Sequence, residues 1–505
     1  MSNAGLLIVS NPAKLGHMLQ IVQSRVQKAL YIQLESMDSR GIACLSRLVS
    51  GVYSQASALC HNLDVRLLIR SPLPQPKVDV VFFDGPASRI SGLNCAAEKL
   101  DLSAEDHPVS LKFSKQASEA AAQETDKEFG HVVLGGTFDR LHIGHKELLS
   151  QAIIRCKRKL TVGVTDSNML SSKILNELIE PCDTRIERVK EFLMDVDNTI
   201  EYAVVPISDP FGPTKDDPTM DLIVVSEETL KGGLKVNEVR QQKGLLPLTL
   251  HCVQLVEDLV PSHLRDTNIE DWKVSSSSGR MRLLGTLLKT PVPRPNIPAT
   301  PYIIGLTGGI ASGKSKIGER LAKKGCGVID CDLIGHQVYT PGSKGFQMVV
   351  EEFGKEIVDS EGKINRRALG KIVFGNQERL EKLNSIVWPQ LLEIVQQKVK
   401  AFKESGIKIV VLEAAVLTKA GWHSNCHEVW SVIVPPAEAI KRLQERDNLN
   451  EEDSRARLAA QPLNSDHVNV ANVVFSPSWS TEHTDKQVER AWLQLQSRMS
   501  SISHL

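Results

Sequence analysis

Gly308-Gly309-Ile310-Ala311-Ser312-Gly313-Lys314-Ser315 is the stretch that decides the fold of the carboxyl-terminal part of the chain. It follows an apolar run, Tyr-Ile-Ile-Gly-Leu-Thr at 302–307, and opens onto Ile317-Gly318-Glu319-Arg320-Leu321, which has helical spacing. Strand, Gly-rich loop and helix in that order form a phosphate-binding P-loop. The glycines let backbone N–H groups turn inward around phosphate oxygens. Lys314 supplies a positive charge, Ser315 a hydroxyl for Mg²⁺, and the helix start a positive dipole end. The alternative is a plain Gly-rich turn between core elements. The lysine, the serine and the strand–helix frame together weigh against it, so the stretch predicts a bound nucleoside triphosphate.

Downstream, Gly-Val-Ile-Asp-Cys-Asp at 327–332 reads as a second strand ending in two carboxylates. Residues at the carboxyl ends of parallel strands face the ligand crevice. Asp332 is the candidate base for a hydroxyl that attacks a phosphate, Asp330 could serve instead, and helix capping is the alternative for either. Arg366 follows a charged turn. Arg446 and Arg457 stand on either side of a polar hairpin, Asn-Leu-Asn-Glu at 448–451. Arginines so placed suit a lid that closes over phosphates and excludes water, against the competing view of a solvated helix face.

A second phosphate cradle lies upstream. The strand His-Val-Val-Leu at 131–134 leads into Gly135-Gly136-Thr137-Phe138-Asp139-Arg140-Leu141-His142-Ile143-Gly144-His145, where a helix begins. His142 and His145 share one face of its first turn near the positive dipole end. Gly144 between them removes a side chain where a phosphate must approach. Val274-Ser275-Ser276-Ser277-Ser278-Gly279-Arg280 opens a later helix. Alone it would be a flexible linker. As the partner of the histidine pair, its hydroxyls and helix N–H groups would bind triphosphate oxygens, with Arg280 as a charge-assisted donor. Lys173 lies in a loop between the two segments, and Asn237 and Arg240 follow on a helix.

Length and composition set the frame. A chain of 505 residues with 41% hydrophobic and 24% charged residues is expected to form several globular domains. Lys+Arg and Asp+Glu both total 60, which argues against a nucleic-acid-coating role. The nine cysteines include no Cys-x-x-Cys pair, so reduced thiols fit better than a disulfide framework or a zinc site. No apolar run reaches the roughly eighteen residues of a membrane span. Residues 1–34 hold no Asp or Glu but carry Lys14, Arg25 and Lys28. This suits a mitochondrial address, but a folded start is the favoured reading, with a strand at 5–9, a helix at 13–28 and a strand at 30–34, and the two are compatible if the segment is not cleaved. Two further strands are expected at 65–69 and 78–83, and a linker or exposed short helix at 118–128. Gly16-His17 repeats the later Gly144-His145 in a similar strand–loop–helix order, a short match that would fit a decayed duplicate.

His-x-Gly-His followed by the Ser-rich motif resembles the nucleotidyltransferase superfamily. Over about 129–288, with Val-Ser-Glu-Glu-Thr at 225–229 and the Gly-Gly…Asn-x-x-Arg spacing ending at Arg240, the chain resembles the eukaryotic phosphopantetheine adenylyltransferase domain. Arg140 stands where bacterial versions carry Pro. The resemblance implies ATP held by Gly135, Gly136, Thr137, Phe138, Ser275, Ser276 and Ser277. It implies catalysis by His145 with His142, Lys173 and Arg280, and substrate contacts from Asn237 and Arg240. From about 300 to 500, the P-loop, Asp-x-Asp, Asn-Arg-Arg-Ala-Leu and Arg-Leu-x-x-Gln segments resemble dephospho-CoA kinase. This implies Asp332 as base, Lys314 and Arg457 on the transferred phosphoryl group, and Asp330, Arg366 and Arg446 on substrate. Trp388-Pro389 replaces the usual His-Pro and Lys419 a usual acid, so those two positions carry over no role.

The whole is thus expected to be a multi-domain α/β chain of the kind found in the bifunctional coenzyme A synthases of metazoans. A smaller α/β amino-terminal domain with a polar linker (1–128) precedes a Rossmann-like nucleotidyltransferase domain (129–288). A Pro-rich linker (289–300) and a P-loop kinase domain (301–505) follow. The resemblance implies ATP as co-substrate, Mg²⁺, the small-molecule substrates 4′-phosphopantetheine and dephospho-CoA, no nucleic acid, and a cytoplasmic or mitochondrial location. The rival readings are a cytidylyltransferase fused to a nucleoside kinase, and a nucleotide-binding scaffold with inactive sites.

Overall fold

The computed structural model describes residues 2–35, 40–70, 78–85, 98–102, 127–261, 265–266, 268–373 and 376–502. They form two compact units, Met1–Arg280 and Met281–Leu505. No helix among the described residues is long and apolar enough to cross a membrane.

The first unit holds two five-stranded sheets. One is built from β1 (Ser2–Val9), β2 (Val26–Leu34), β3 (Asp64–Leu68), β4 (Val80–Phe83) and β5 (Glu98–Asp101), in the order β3-β2-β1-β4-β5. The other uses β6 (Phe129–Gly136), β7 (Cys156–Thr165), β8 (Glu201–Ile207), β9 (Leu222–Ser226) and β10 (Thr249–Val253), in the order β10-β9-β6-β7-β8. Every pairing in both is parallel. Parallel strands covered on both faces read as unbroken apolar runs, which is why Leu6-Leu7-Ile8-Val9 and Val132-Val133-Leu134 lie at sheet centres. The helices α1 (Leu15–Val22), α2 (Ile42–Leu59), α3 (Ile143–Arg155), α4 (Cys182–Val196) and α5 (Leu230–Gln242) cover them, and one apolar core runs through both sheets.

Several expectations for this unit need revision. The helix expected at 13–28 is only α1, preceded by a 3₁₀ turn at Pro12–Lys14, because β2 already begins at Val26. The eighteen-residue α2 was not anticipated. The linker expected at 118–128 lies mostly outside the described residues. The acid-free amino terminus folds as β1, α1 and β2, with β1 in the middle of its sheet.

The second unit is a five-stranded parallel sheet of β11 (Tyr302–Thr307), β12 (Gly327–Asp330), β13 (Ile409–Glu413), β14 (Glu428–Val432) and β15 (Val473–Phe475), ordered β12-β13-β11-β14-β15. Helix α6 (Ser276–Leu283) spans the division between the units. The boundary expected at 288/289 therefore differs from the compact division after Arg280. Backbone hydrogen bonds explain the difference: Gly285 N donates to Val474 O at 2.9 Å and Leu288 N to Asn472 O at 2.7 Å, so residues 285–288 dock on β15. Trp388 packs against the core of this unit from a helix, Gln377–Glu404, that accommodates Pro389, and Lys419 is exposed.

Candidate functional site

In the first unit, β6 ends at the point where the strand order reverses between β6 and β9, the usual crevice of an open parallel sheet. The turn that follows is sharp. Phe138 and Arg140 both adopt positive φ, of 50° and 46°, on either side of Asp139. His142 is the N-cap of α3, its Nδ1 accepting from the His145 N–H at 3.4 Å. The two imidazoles stack with centroids 3.7 Å apart, and Phe138 lies 5.3 Å from His145. A side chain at 144 would come 3.3 Å from the His142 ring, so glycine there permits the stack. Burial lowers the pKa of both rings, that of His145 to about 4, with Lys146 acting in the same direction and Asp139 against it. Burial thus favours the neutral form of both rings.

The serine run meets this pair. Ser276 Oγ donates to the Asp139 carbonyl at 3.1 Å and lies 3.3 Å from His142 Nε2. Ser275 Oγ accepts from Ser278 N at 3.1 Å, and Ser277 Oγ accepts from Arg280 at 3.4 Å. Arg280 is buried: its Nη1 donates to Asp139 Oδ2 at 2.7 Å and its Nε to the Ile174 carbonyl at 2.8 Å. Its charge is neutralised inside the protein, and it clamps the serine helix, the turn after β6 and the loop of Lys173 together. Lys173 itself is exposed. Thr137 Oγ1 accepts from Thr165 at 3.3 Å, and its carbonyl accepts from the buried Arg185 at 2.6 Å. Gly135 and Gly136 finish β6, where a side chain at 136 would come 3.1 Å from the Phe138 ring.

Asn237 and Arg240 are not brought to this cleft. Asn237 exchanges hydrogen bonds with the backbone of Leu248, at 2.8 and 2.9 Å. Arg240, fully buried, donates to the carbonyls of Thr214, Asp217 and Leu246 at 2.6–2.8 Å. Both hold loops in this structure. Sequence reasoning passed over Asp139, which also accepts from Glu180 N at 3.1 Å. A lone acid within a Gly-rich turn has no motif of its own, and the positive-φ positions on either side of it are visible only in the fold.

In the second unit the loop Gly308, Gly309, Ile310, Ala311, Ser312 and Gly313 joins β11 to α7 (Lys314–Lys323). Gly308 has φ 149°, and a side chain there would come 2.2 Å from the Val432 carbonyl oxygen. Gly313 (φ 94°) and Ala311 (φ 59°) complete the curl. Lys314 reaches back to the Gly309 carbonyl at 3.3 Å. Burial lowers its pKa, while Asp332 and Glu413 act the other way. Ser315 Oγ donates to Glu413 Oε1 at 2.6 Å, and Glu413, buried at the end of β13, is raised by its burial. Asp332 Oδ2 accepts from Ala415 N at 3.4 Å, and lost solvation raises it, opposed by Lys314. Asp330 caps the short helix α8 (Cys331–Ile334), accepting from Leu333 N at 2.8 Å. Capping, the alternative weighed for it, is its observed role. Among the described residues, Glu413 and the buried His467, whose Nδ1 lies 3.3 Å from Thr307 Oγ1, join this site without having been anticipated.

The lid arginines take other positions. Arg446 and Arg457 both bind the Asp447 carboxylate, at 2.8 and 3.0 Å, between the helices Pro436–Asp447 and Glu451–Ala459. Arg442 is the one that meets the loop, within 3.4–3.5 Å of the Ala311 and Ser312 carbonyls. Arg366 is exposed, its guanidinium 6.0 Å from the centre of the Tyr339 ring.

Each unit thus holds a phosphate cradle of a different kind at a strand end, and together they define a transferase with two nucleotide sites. Residues 133–282 match the family model described as cytidylyltransferase-like, and residues 302–482 that described as dephospho-CoA kinase. The dephospho-CoA kinase of Carboxydothermus hydrogenoformans is 43% identical over 186 residues, 37% of this chain and 90% of that protein. That of Dehalococcoides mccartyi is 37% identical over 34% of this chain and 87% of its own. The crystal structure of TT1252 from Thermus thermophilus is 28% identical with a TM-score of 0.35, covering 39% of this chain and 98% of that one. The chain belongs to the dephospho-CoA kinase family, and it carries a cytidylyltransferase-like domain ahead of the kinase domain.

Proposed function

We propose that the chain performs two consecutive reactions, the last steps of coenzyme A synthesis. In the first, a phosphate oxygen of 4′-phosphopantetheine attacks the α-phosphorus of ATP, forming dephospho-CoA and releasing pyrophosphate. In the second, the ribose 3′-hydroxyl of dephospho-CoA attacks the γ-phosphorus of a second ATP, giving CoA and ADP. The carrying observation is the order of the two domains, because a product of the first chemistry is the hydroxyl compound used by the second. No covalent nucleophile is needed at either site, so catalysis rests on positioning and on stabilising transferred charge.

At the first site neutral His145, held in place by its stack on His142, offers a ring N–H to the phosphate at the start of α3, whose dipole favours it, while His142 is engaged by His145 N and Ser276. Ser276 and Ser277 open a second helix toward the same space. At the second, Asp332 takes the proton of the attacking hydroxyl, and its raised pKa brings it closer to the working pH. Lys314 supplies charge to the transferred group. Ser315 and Glu413, 2.6 Å apart, form an all-oxygen pair that suits Mg²⁺, which binds through few protein ligands and keeps substrate phosphates and water. Bound Mg²⁺ would neutralise charge on the β- and γ-phosphates. The test is label transfer. With [α-³²P]ATP and 4′-phosphopantetheine, label enters dephospho-CoA and CoA. With [γ-³²P]ATP it enters pyrophosphate and the 3′-phosphate of CoA. Absence of α-label from every CoA product would refute the first step, and absence of γ-label from CoA the second.

A further inference from the structure

The two sheets of the first unit are copies of one topology. Counted in chain order within each sheet, β3-β2-β1-β4-β5 and β8-β7-β6-β9-β10 both run third, second, first, fourth, fifth, with every pairing parallel. The loops after the first strands also correspond. Lys14 and His142 are N-caps, and Gly16-His17 and Gly144-His145 are the second and third residues of α1 and α3. The amino-terminal copy has lysine where the other has its first histidine. Its anion cradle is filled from within: the Asp84 carboxylate accepts from Ser10 N at 2.6 Å, Ser10 Oγ at 2.7 Å and Asn11 N at 3.2 Å. A phosphate cannot occupy those donors while a carboxylate holds them.

What the copy does instead is visible on α3. On α1 the positions after the Gly-His pair are Met18, Leu19 and Val22, all in the apolar core. Their counterparts on α3 are Lys146, Glu147 and Ser150, equally buried but polar. Each finds its partner in the amino-terminal domain. Lys146 Nζ binds the Asp64 carboxylate and, at 3.1 Å, the Val65 carbonyl. Ser50 donates to Glu147 at 2.5 Å, Tyr53 Oη lies 3.2 Å from Ser150 Oγ, and Ser46 with Gln151 continues the seam at 2.9 Å. Asp64 is fixed in turn by Arg66 at 2.7 Å, and Arg66 extends to Asp195 and Glu191 on α4. A buried lysine without its carboxylate would be costly, so this pair fixes the turn that bears the histidines.

We propose that the amino-terminal domain is a non-reacting second copy of the nucleotidyltransferase fold whose Asp64, through Lys146, positions the first turn of α3 and so His142 and His145 for adenylyl transfer. The proposal rests on the adenylyl-transfer reading above. Asp64 touches no reacting atom and acts as a positioning residue. Steady-state kcat and KM are measured on the full chain for adenylyl transfer, and separately for phosphorylation of added dephospho-CoA, with Asp64→Asn, Asp64→Glu and Ser57→Ala. Ser57 bonds the Glu257 carbonyl at 3.0 Å, away from the first turn, and controls for the interface in general. Asp64→Asn is expected to lower the adenylyl-transfer kcat by about tenfold to a hundredfold, as for reacting groups displaced by a fraction of an ångström. The KM for ATP and the kinase rate should stay within about twofold, Asp64→Glu should restore most of the kcat, and Ser57→Ala should leave it near wild type. In ¹³C-labelled histidine spectra, Asp64→Asn should also shift the His145 ring resonance. An unchanged kcat in Asp64→Asn would overturn the proposal alone, as would an equal loss in Ser57→Ala or a parallel loss of both activities. A wild-type chain forming no dephospho-CoA would remove the adenylyl-transfer reading and the proposal with it.

Discussion

Asp139→Asn isolates the ion pair that ties the two halves of the first site together. The Asp139 and Arg280 side chains are 0% and 1% exposed and meet at 2.7 Å. The substituted amide keeps the size of the carboxylate, but holding Glu180 N with its oxygen turns its NH2 toward Arg280, so the change removes the charge and Arg280's acceptor without changing volume. Losing one member of a buried pair leaves the other uncompensated, at a cost of about 3–5 kcal/mol. At about 1.4 kcal/mol per decade, amides that exchange only when the unit opens should exchange roughly two to more than three orders of magnitude faster. The assay is hydrogen–deuterium exchange read by mass spectrometry on peptides covering β6 and α4, with β11 of the second unit as the internal control. Adenylyl transfer should fall as well, because Asp139 holds the turn from Phe138 to His142. Asp139→Leu combined with Arg280→Met should recover much of the protection, since no buried charge is left unpaired and Arg140, the other partner of Asp139, reaches solvent, without recovering the reaction. Acceleration under about tenfold in Asp139→Asn, or recovery of activity in the double variant, would refute the reasoning.

Two further perturbations follow from the charged and titrating groups. His145, His251 and His467 are each lowered by burial to a pKa of about 4. Unfolded, such rings titrate near about 6.5, so on acidification protons bind the unfolded chain first. Stability should be unaffected by these groups above about pH 6.5 and decline between there and about 4, which urea midpoints at a series of pH values would read. The kcat of adenylyl transfer should likewise show no loss as pH rises from about 6 to 8, whereas a fall through about 6.5 would mark a required imidazolium. Glu413→Gln should raise the Mg²⁺ concentration for half-maximal kinase activity and cut that activity by about tenfold or more, leaving adenylyl transfer intact. An unchanged Mg²⁺ dependence would rule out the Ser315–Glu413 pair as the metal's protein ligands.

The legible parts of the chain were those whose chemistry needs several residue types at fixed spacing. The P-loop, with Lys314 and Ser315, and the His142–His145 pair with its serine run stood out because few other roles would assemble those residues. Asp139 and Glu413 did not, because a single carboxylate at a strand end looks like any other until the fold brings Arg280 or Ser315 to it. Asn237 and Arg240 matched a family pattern, yet their polar atoms bind loop carbonyls and amides. Family resemblance locates such residues without distinguishing a ligand contact from a loop clamp. The polar face of α3 carried no motif to mark it: Lys146, Glu147 and Gln151 become interior only because the amino-terminal domain packs on them. The short Gly16-His17 match was faint in sequence, because the apolar core constrains sheet order far more strongly than side-chain identity.

Mixing two single-site variants tests the central claim most directly, that this chain carries two separate phosphate-transfer sites working in sequence. Lys314→Ala given 4′-phosphopantetheine, ATP and Mg²⁺ should stop at dephospho-CoA. His145→Ala should form nothing from 4′-phosphopantetheine, yet phosphorylate added dephospho-CoA at the wild-type rate. Combined in one tube, the two should again make CoA, with dephospho-CoA passing through solution between them. CoA formed by Lys314→Ala alone, or none formed by the mixture, would contradict the account.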